Sequence, residues 1–263
     1  MGMSRKTFSK LWYNLVKVRP QLLVKKIPTP VKGEVPTFRI TDFKEKIGLV
    51  SDTHFVSKTQ QISGLHKFYS MCEEEGIDTI LHAGDLIDGI GVYDGQPYDT
   101  FLHQPDQMIK YVVDNYPSFN GQTWFIGGNH DSTVKDFGTR VTDERSDMLF
   151  LGNGSAIITI NEKKIFIHHG KKGSEKYARS NKPQQLAIAE AKHVKIVPDI
   201  IVLGHYHNVC ILPDYGGIFV IQMPCFQAQV RWNLEPNIGG VILDLCDSPR
   251  CSYQKFERII DDF

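Results

Sequence analysis

The chain has 263 residues, 41% of them hydrophobic and 23% charged, with 30 Lys/Arg against 30 Asp/Glu. This is the composition of an ordinary globular protein, long enough to bury a full core. No apolar run approaches the roughly 20 residues of a membrane span, and the first twenty residues lack a signal peptide's apolar core and cleavage site.

Residues 1–44 carry ten Lys/Arg and two Asp/Glu, a local charge of +8 balanced by −8 over the rest. Phe8, Leu11, Trp12, Leu15 and Val16 recur at helical spacing, which predicts an amphipathic helix over 5–18 that stops at Pro20. Residues 25–38, rich in Pro and Lys, read as an extended connector, so a basic extension (1–44) precedes a compact domain (45–263). From residue 46 strands and helices alternate. Strands are expected at 46–52, 78–85 and 123–128, with helices marked by Ile62, Leu65, Phe68, Tyr69 and Cys72 and by Met108, Ile109, Val112, Val113 and Tyr116. A short helix is expected at 143–150, a hairpin at 155–160 and 164–170, and a helix at 182–194. Strands at 198–205, 217–224 and 239–245 end the series, which predicts an α/β fold with more than one sheet. The five cysteines are scattered with no CxxC pair, which argues for free thiols and a cytoplasmic setting.

The residues just past the apolar strands are unusual. Ser51-Asp52-Thr53-His54, Gly84-Asp85-Leu86-Ile87-Asp88, Gly127-Gly128-Asn129-His130-Asp131, His168-His169-Gly170 and Gly204-His205-Tyr206-His207 each follow one. Strand ends of open α/β sheets line the ligand crevice. In extended backbone, residues i and i+2 project to one side, so Asp52 with His54, and His205 with His207, can reach a shared cavity. Imidazoles, carboxylates and an amide oxygen without thiolates suit Mn, Fe or Zn rather than a Ca²⁺ or Cys-based zinc site. The ligands are too many for one ion, which points to two. A single Asp or His at a strand end is ordinarily a cap or turn residue; five such groups in series are not.

D-x-H (52–54), G-D-x-x-D (84–88), G-N-H-D (128–131), H-G (169–170) and G-H-x-H (204–207) together resemble the signature of calcineurin-like metallophosphoesterases. The resemblance implies a four-layer α/β/β/α sandwich with a two-metal centre at the strand ends. Carried over by position, it implies that Asp52, His54 and His207 hold one divalent ion and that Asn129, His205 and one histidine of the 168–169 pair hold the other, with Asp85 bridging; of the pair His169, directly before Gly170, is favoured over His168. Manganese is favoured, with Fe, Zn or Ni as alternatives. His130 would bind phosphate or act as general acid, with Asp88 orienting it, while Asp131 braces the turn.

The implied reaction is hydrolysis of a phosphate ester by water that two cations activate, with no covalent intermediate. Gly89 and Asp131 stand where the phosphoprotein phosphatases of this superfamily carry Arg and Glu. The reading therefore favours a phosphodiester, a nucleic-acid end or a nucleotide, over a small phosphomonoester or a non-catalytic scaffold. Lys171, Lys172 and Arg179, in the basic loop 171–182, are the expected substrate contacts, and the basic N-terminal segment is a second surface for nucleic acid. Tyr93, Tyr98, Phe101 and His103 are candidates to stack on a base, and Gln227, Gln229 and Arg231 for the far rim.

Overall fold

A computed structural model describes residues 25–26, 35–40, 45–171, 178–193, 197–229 and 235–258. The helix expected over 5–18, Lys172 and Arg231 lie outside the described residues. In chain order the first elements are β1 (Lys25–Lys26), β2 (Thr37–Ile40), β3 (Lys46–Val50), α1 (Ile62–Glu74) and β4 (Thr79–His82). Next come α2 (Gln96–Asp99), α3 (Pro105–Asn115), β5 (Gln122–Gly127), a 3₁₀ turn (Asp131–Thr133), α4 (Phe137–Glu144) and β6 (Met148–Asn153). Then follow β7 (Ser155–Ile160), β8 (Lys163–His168), α5 (Asn181–His193), β9 (Ile200–Leu203) and β10 (Cys210–Leu212). The last are β11 (Phe219–Gln222), β12 (Gly239–Asp244) and β13 (Arg250–Lys255).

Two mixed sheets form. One has the order β13-β12-β3-β4-β5-β6, with β3 to β6 parallel; the other has the order β1-β2-β7-β8-β9-β11-β10, with β8, β9 and β11 parallel. Period-2 alternation sorts their side chains. Ile47 and Leu49 of β3, Leu81 of β4, Trp124 and Ile126 of β5 and Val241 and Leu243 of β12 face Ile158, Ile165, Ile167, Ile200 and Val202 across one shared core. Opposite-facing Val50, Ile80 and Phe125 meet Leu65, Phe68, Tyr69 and Cys72 of α1, Met108, Ile109 and Val112 of α3 and Val141 of α4. Phe166, Ile201 and Leu203 pack on Leu186 and Ala187 of α5. The result is four layers, helices, sheet, sheet and helix, as expected. Each large apolar side chain buried in these interfaces contributes about 1.5–3 kcal/mol.

Three local expectations need correction. Residues 143–150 were expected as a helix, but the helix ends at Glu144 and Met148–Asn153 pairs in parallel with β5. Thr37–Ile40, expected within the connector and ahead of the compact domain, is a strand parallel to β7, with Phe38 and Ile40 buried in the inter-sheet core. β10 and β13 are strands that the apolar pattern does not mark, since both lie at sheet edges and neither is fully buried. The expected hairpin forms between β7 and β8, pairing Ile160 with Lys163 and closed by Asn161 and Glu162 at φ 46° and 64°. That pair of positive φ values is the backbone a two-residue hairpin turn requires.

Candidate metal centre

Asp52 and His54 follow β3, Asp85 and Asp88 follow β4, and Asn129 and His130 follow β5; from the other sheet His169 follows β8, and His205 and His207 follow β9. The grouping is not produced by strand alternation, because the extended backbone has already ended at Val50 and Leu203. Instead Asp52, His54, Asp85, His205 and His207 take left-handed backbone, with φ of 51°, 43°, 56°, 81° and 57°. Non-glycine residues enter that region at a cost, and such strain collects at functional sites. Cross-loop bonds hold the turns: Asp52 N–H donates to Gly84 O (2.9 Å), His54 N–H to Asp85 O (3.1 Å) and His205 N–H to Asp52 Oδ2 (2.9 Å). Gly84 (φ 94°) and Gly128 are required by close approach. A Cβ on Gly84 would sit 2.5 Å from His169 Nδ1, and one on Gly128 would run into the Asp85 carboxylate.

The donor atoms fall into overlapping buried groups, Asp52-His54-His207 and Asp85-His169-His205, with His54-Asp85-His130 between them. His54 Nδ1 is 2.9 Å from Asp88 Oδ1, so Nδ1–H donates there and Nε2 turns inward, 3.1 Å from His207 Nε2 and 4.0 Å from Asp85 Oδ2. His169 Nδ1 is committed to the Ala83 carbonyl (2.8 Å), leaving Nε2 against Asp85 Oδ2 (2.9 Å) and Asn129 Oδ1 (3.2 Å). His207 Nε2 lies 3.3 Å from Asp52 Oδ1. The Asp52 Oδ1 and Asp85 Oδ2 oxygens are buried yet accept no well-aligned hydrogen bond. Lone pairs facing one another in a buried space need positive charge between them. Imidazole, carboxylate and amide oxygen are donors that a divalent transition metal accepts, so these residues fit such ions.

Electrostatics agree. Burial disfavours an imidazolium, yet the Asp52 and Asp88 carboxylates hold His54 up to about 10, and Asp85 holds His169 up to about 9. His207 is likewise raised well above its ordinary value, against its burial, by Cys225 and Asp52. Burial also opposes the charge of Asp52, but the neighbouring imidazoles, His207 foremost, hold its carboxyl well below the usual range. His205 is pushed down to about 4 by burial and by the positive His169. Without metal at pH 7, therefore, His169 and one of the pair His54–His207, whose Nε2 atoms are 3.1 Å apart and can share one proton, carry protons that a cation must displace. Loading Mn²⁺ at pH 7 is expected to release up to two protons per chain, and affinity should fall as pH is lowered. Calorimetric titration in two buffers of different ionisation heat reads the number; no proton release would remove these imidazoles from the ligand set.

The remaining candidates divide. His130 has Nδ1 on the Asp88 backbone carbonyl and Nε2 at the crevice, 3.9 Å from Asp85 Oδ2. Burial lowers its pKa, so its ring is neutral at pH 7. The Asp88 side chain, expected to orient His130, instead bonds His54; only its main-chain oxygen bonds His130. Of the two adjacent histidines His169 joins the cluster, while His168 turns back to accept from Gly170 N–H (2.7 Å). Asp131 braces the turn, accepting from Gly128 N–H (2.9 Å) and Ile87 N–H (3.0 Å). Lys171 is exposed beside Gly170, and Arg179 donates to Asn237 (3.1 Å), whose N–H donates to the His207 carbonyl (2.8 Å). Both therefore stand at the rim without touching the donor cluster. Tyr93 faces His130, ring centroids 6.4 Å apart, and Tyr98 is 77% exposed. Phe101 packs on Tyr111, and His103 pairs with Thr100. Gln227 is fully buried beneath the site on Ser57 and Asp88, not on a rim.

Sequence reasoning missed the supports. Ser51 Oγ donates to Asp52 Oδ2, and buried Gln96 donates to the Asp88 carbonyl. Ser51 is adjacent to a ligand and was within reach of inference; Gln96, eight residues from Asp88, carries no local signal.

Residues 45–230 match the profile of the calcineurin-like phosphoesterase family. The DNA polymerase II small subunit of Archaeoglobus fulgidus is 24% identical over 244 residues, covering 74% of this chain and 50% of that protein. That of Methanothermobacter thermautotrophicus is 22% identical over 259 residues, covering 79% and 53%. The chain thus spans about half the length of these curated relatives. A solved structure described as a novel archaeal phosphodiesterase is 19% identical, with a TM-score of 0.51 over 80% of this chain and 99% of that one, a likeness of fold. Among the described residues no helix is long and apolar enough to cross a membrane.

Proposed function

The chain belongs to the calcineurin-like phosphoesterase family, and from that premise we propose that it hydrolyses phosphodiesters, of nucleotides or nucleic-acid ends, at a two-metal centre. One observation carries the proposal. Asp85 Oδ2 is buried between two donor groups with no well-aligned hydrogen bond, 4.0 Å from His54 Nε2 on one side and in a 2.9 Å ion pair with His169 Nε2 on the other. A carboxylate so placed would serve both cations. Asp52, His54 and His207 would hold the first; Asn129, His169 and His205 the second. This nitrogen and oxygen donor set suits Mn, Fe, Zn or Ni, and Mn is the ion taken into the test below. Two such ions, when bound, lower the pKa of water and neutralise phosphoryl charge.

The chain's own side chains do the rest. His54 and His169 are held in single tautomers by Asp88 and the Ala83 carbonyl, so their Nε2 atoms arrive preorganised. His130 is fixed through Nδ1 and presents Nε2 to the crevice; Nε2 is unprotonated in the empty site at pH 7, and once the negative charge of a bound ester favours the protonated ring it donates to a phosphoryl or leaving oxygen. Lys171 and Arg179 at the rim draw in an anionic ester and contact its flanking phosphates. The similarity to DNA polymerase II small subunits supports a nucleic-acid or nucleotide ester over other diesters.

The test is turnover after EDTA stripping and Mn²⁺ reconstitution. Bis(p-nitrophenyl) phosphate is expected to be cleaved at least about 10-fold faster than p-nitrophenyl phosphate, a difference of about 1.4 kcal/mol in barrier. Preference for the monoester by orders of magnitude would make the protein a phosphomonoesterase. No metal-dependent turnover of either would leave a non-catalytic role.

A further inference from the structure

Outside the donor cluster, at the same end of the β8–β9 sheet, lies a cavity of about 240 Å³. Its floor is apolar: Leu203 at the end of β9 and Leu186 of α5 belong to one buried cluster. Tyr206 forms one wall, its hydroxyl donating to the Lys171 carbonyl (3.0 Å) and its ring edge-on to His205, centroids 5.1 Å apart. Lys182 holds its ammonium 5.9 Å from the centre of the Tyr206 ring, and Lys171 also lines the space. Tyr206 stands between His205 and His207, and Gly170, which lines the cavity too, directly follows His169. Two residues of the cavity wall therefore adjoin three of the candidate metal donors in the chain. A Cβ on Gly170 would come 2.8 Å from His205 Cβ and 3.3 Å from the Tyr206 ring, so at Gly170 the cavity wall packs directly against the loop that carries His205 and His207.

We propose that this cavity seats the nucleobase of the ester whose phosphoryl group is cleaved, which makes the substrate class nucleotide esters. The assignment rests on the phosphodiesterase reading of the metal centre. An aromatic wall and a leucine floor suit a flat heterocycle, and base–aromatic contact is sequence-tolerant because every base has a π-face. The volume is below the roughly 300–1,000 Å³ of pockets that enclose drug-sized ligands, room for one ring system with its sugar and phosphate outside. Two lysines at the walls select an anionic ligand and repel a cationic one. The same chemistry is offered by a free nucleotide and by the terminal residue of a strand.

The experiment is equilibrium binding of AMP, ribose 5-phosphate and inorganic phosphate to the full chain, with and without Mn²⁺. AMP is expected to bind at least about 10-fold tighter than ribose 5-phosphate. Ala189→Trp, at an exposed position lining the cavity, is expected to erase that preference and leave phosphate affinity unchanged; Leu186→Phe, filling from the floor, should do the same. Equal binding of AMP and ribose 5-phosphate, or a preference that survives both substitutions, overturns the assignment. An AMP preference that persists while phosphate binding ignores Mn²⁺ sinks the metal-centre reading and leaves the base site standing. A short oligo(dA) that outcompetes AMP, with the excess lost in Ala189→Trp, identifies the strand terminus as the source; equal affinity identifies the free nucleotide.

Discussion

His130→Ala is expected to lower turnover of a diester by about 10²–10⁴-fold, the usual contribution of a positioned proton donor, while bound metal stays at the wild-type level. The separation follows from where the ring is anchored. Nδ1 is held by the Asp88 carbonyl, and Nε2, although near His54 and Asp85, is 3.9 Å from Asp85 Oδ2 and belongs to neither the Asp52-His54-His207 nor the Asp85-His169-His205 group. Removing the ring leaves Asp85 its main-chain bond from His130 N–H (2.8 Å), which alanine also supplies. Elemental analysis alongside turnover reads both quantities. Unchanged turnover would take His130 out of the mechanism, and joint loss of metal and turnover would make it a ligand.

Asp85→Asn is expected to do the opposite, emptying the centre with little change in shape. The substitution is isosteric, yet it removes the negative charge that serves both donor groups and sets an amide toward His169 Nε2. Metal content should fall below half of wild type and turnover by about 10²–10³-fold or more. The metal-free fold should lose about 1.5–3 kcal/mol as well, because buried His169 loses its charged partner and turns neutral. Urea denaturation in EDTA measures the last effect. A variant that keeps full metal content would show that Asp85 does not bridge.

An α/β fold with more than one sheet was legible because several central strands are apolar runs, and because Leu65, Phe68, Tyr69 and Cys72 mark the face of α1 that covers them; the four layers followed from the motif resemblance. The donors were legible because they sit directly after those runs. What the pattern concealed was decided by tertiary contact. Met148–Asn153 has no strand-like alternation and becomes β6 only by pairing with β5. Thr37–Ile40 is a short run among prolines and lysines, and its core role comes from the exposed edge of β7 that it covers. Asp88 lies within bonding distance of two imidazoles in space, and nothing in G-D-x-x-D says which one its carboxylate takes. The left-handed turns were also hidden, since Asp and His are tolerated in that conformation without being marked for it.

Those turns set two selective pressures against each other. Asp52, His54, Asp85, His205 and His207 all occupy backbone that glycine enters freely and other residues enter at about 1–3 kcal/mol each. At these five positions drift toward a sturdier molecule and preservation of the pocket point in opposite directions, since the change that relaxes the main chain is the one that deletes a donor. A lineage freed from the need for catalysis would find its easiest gains in heat resistance there, so erosion of the motifs would begin with Gly replacing Asp or His.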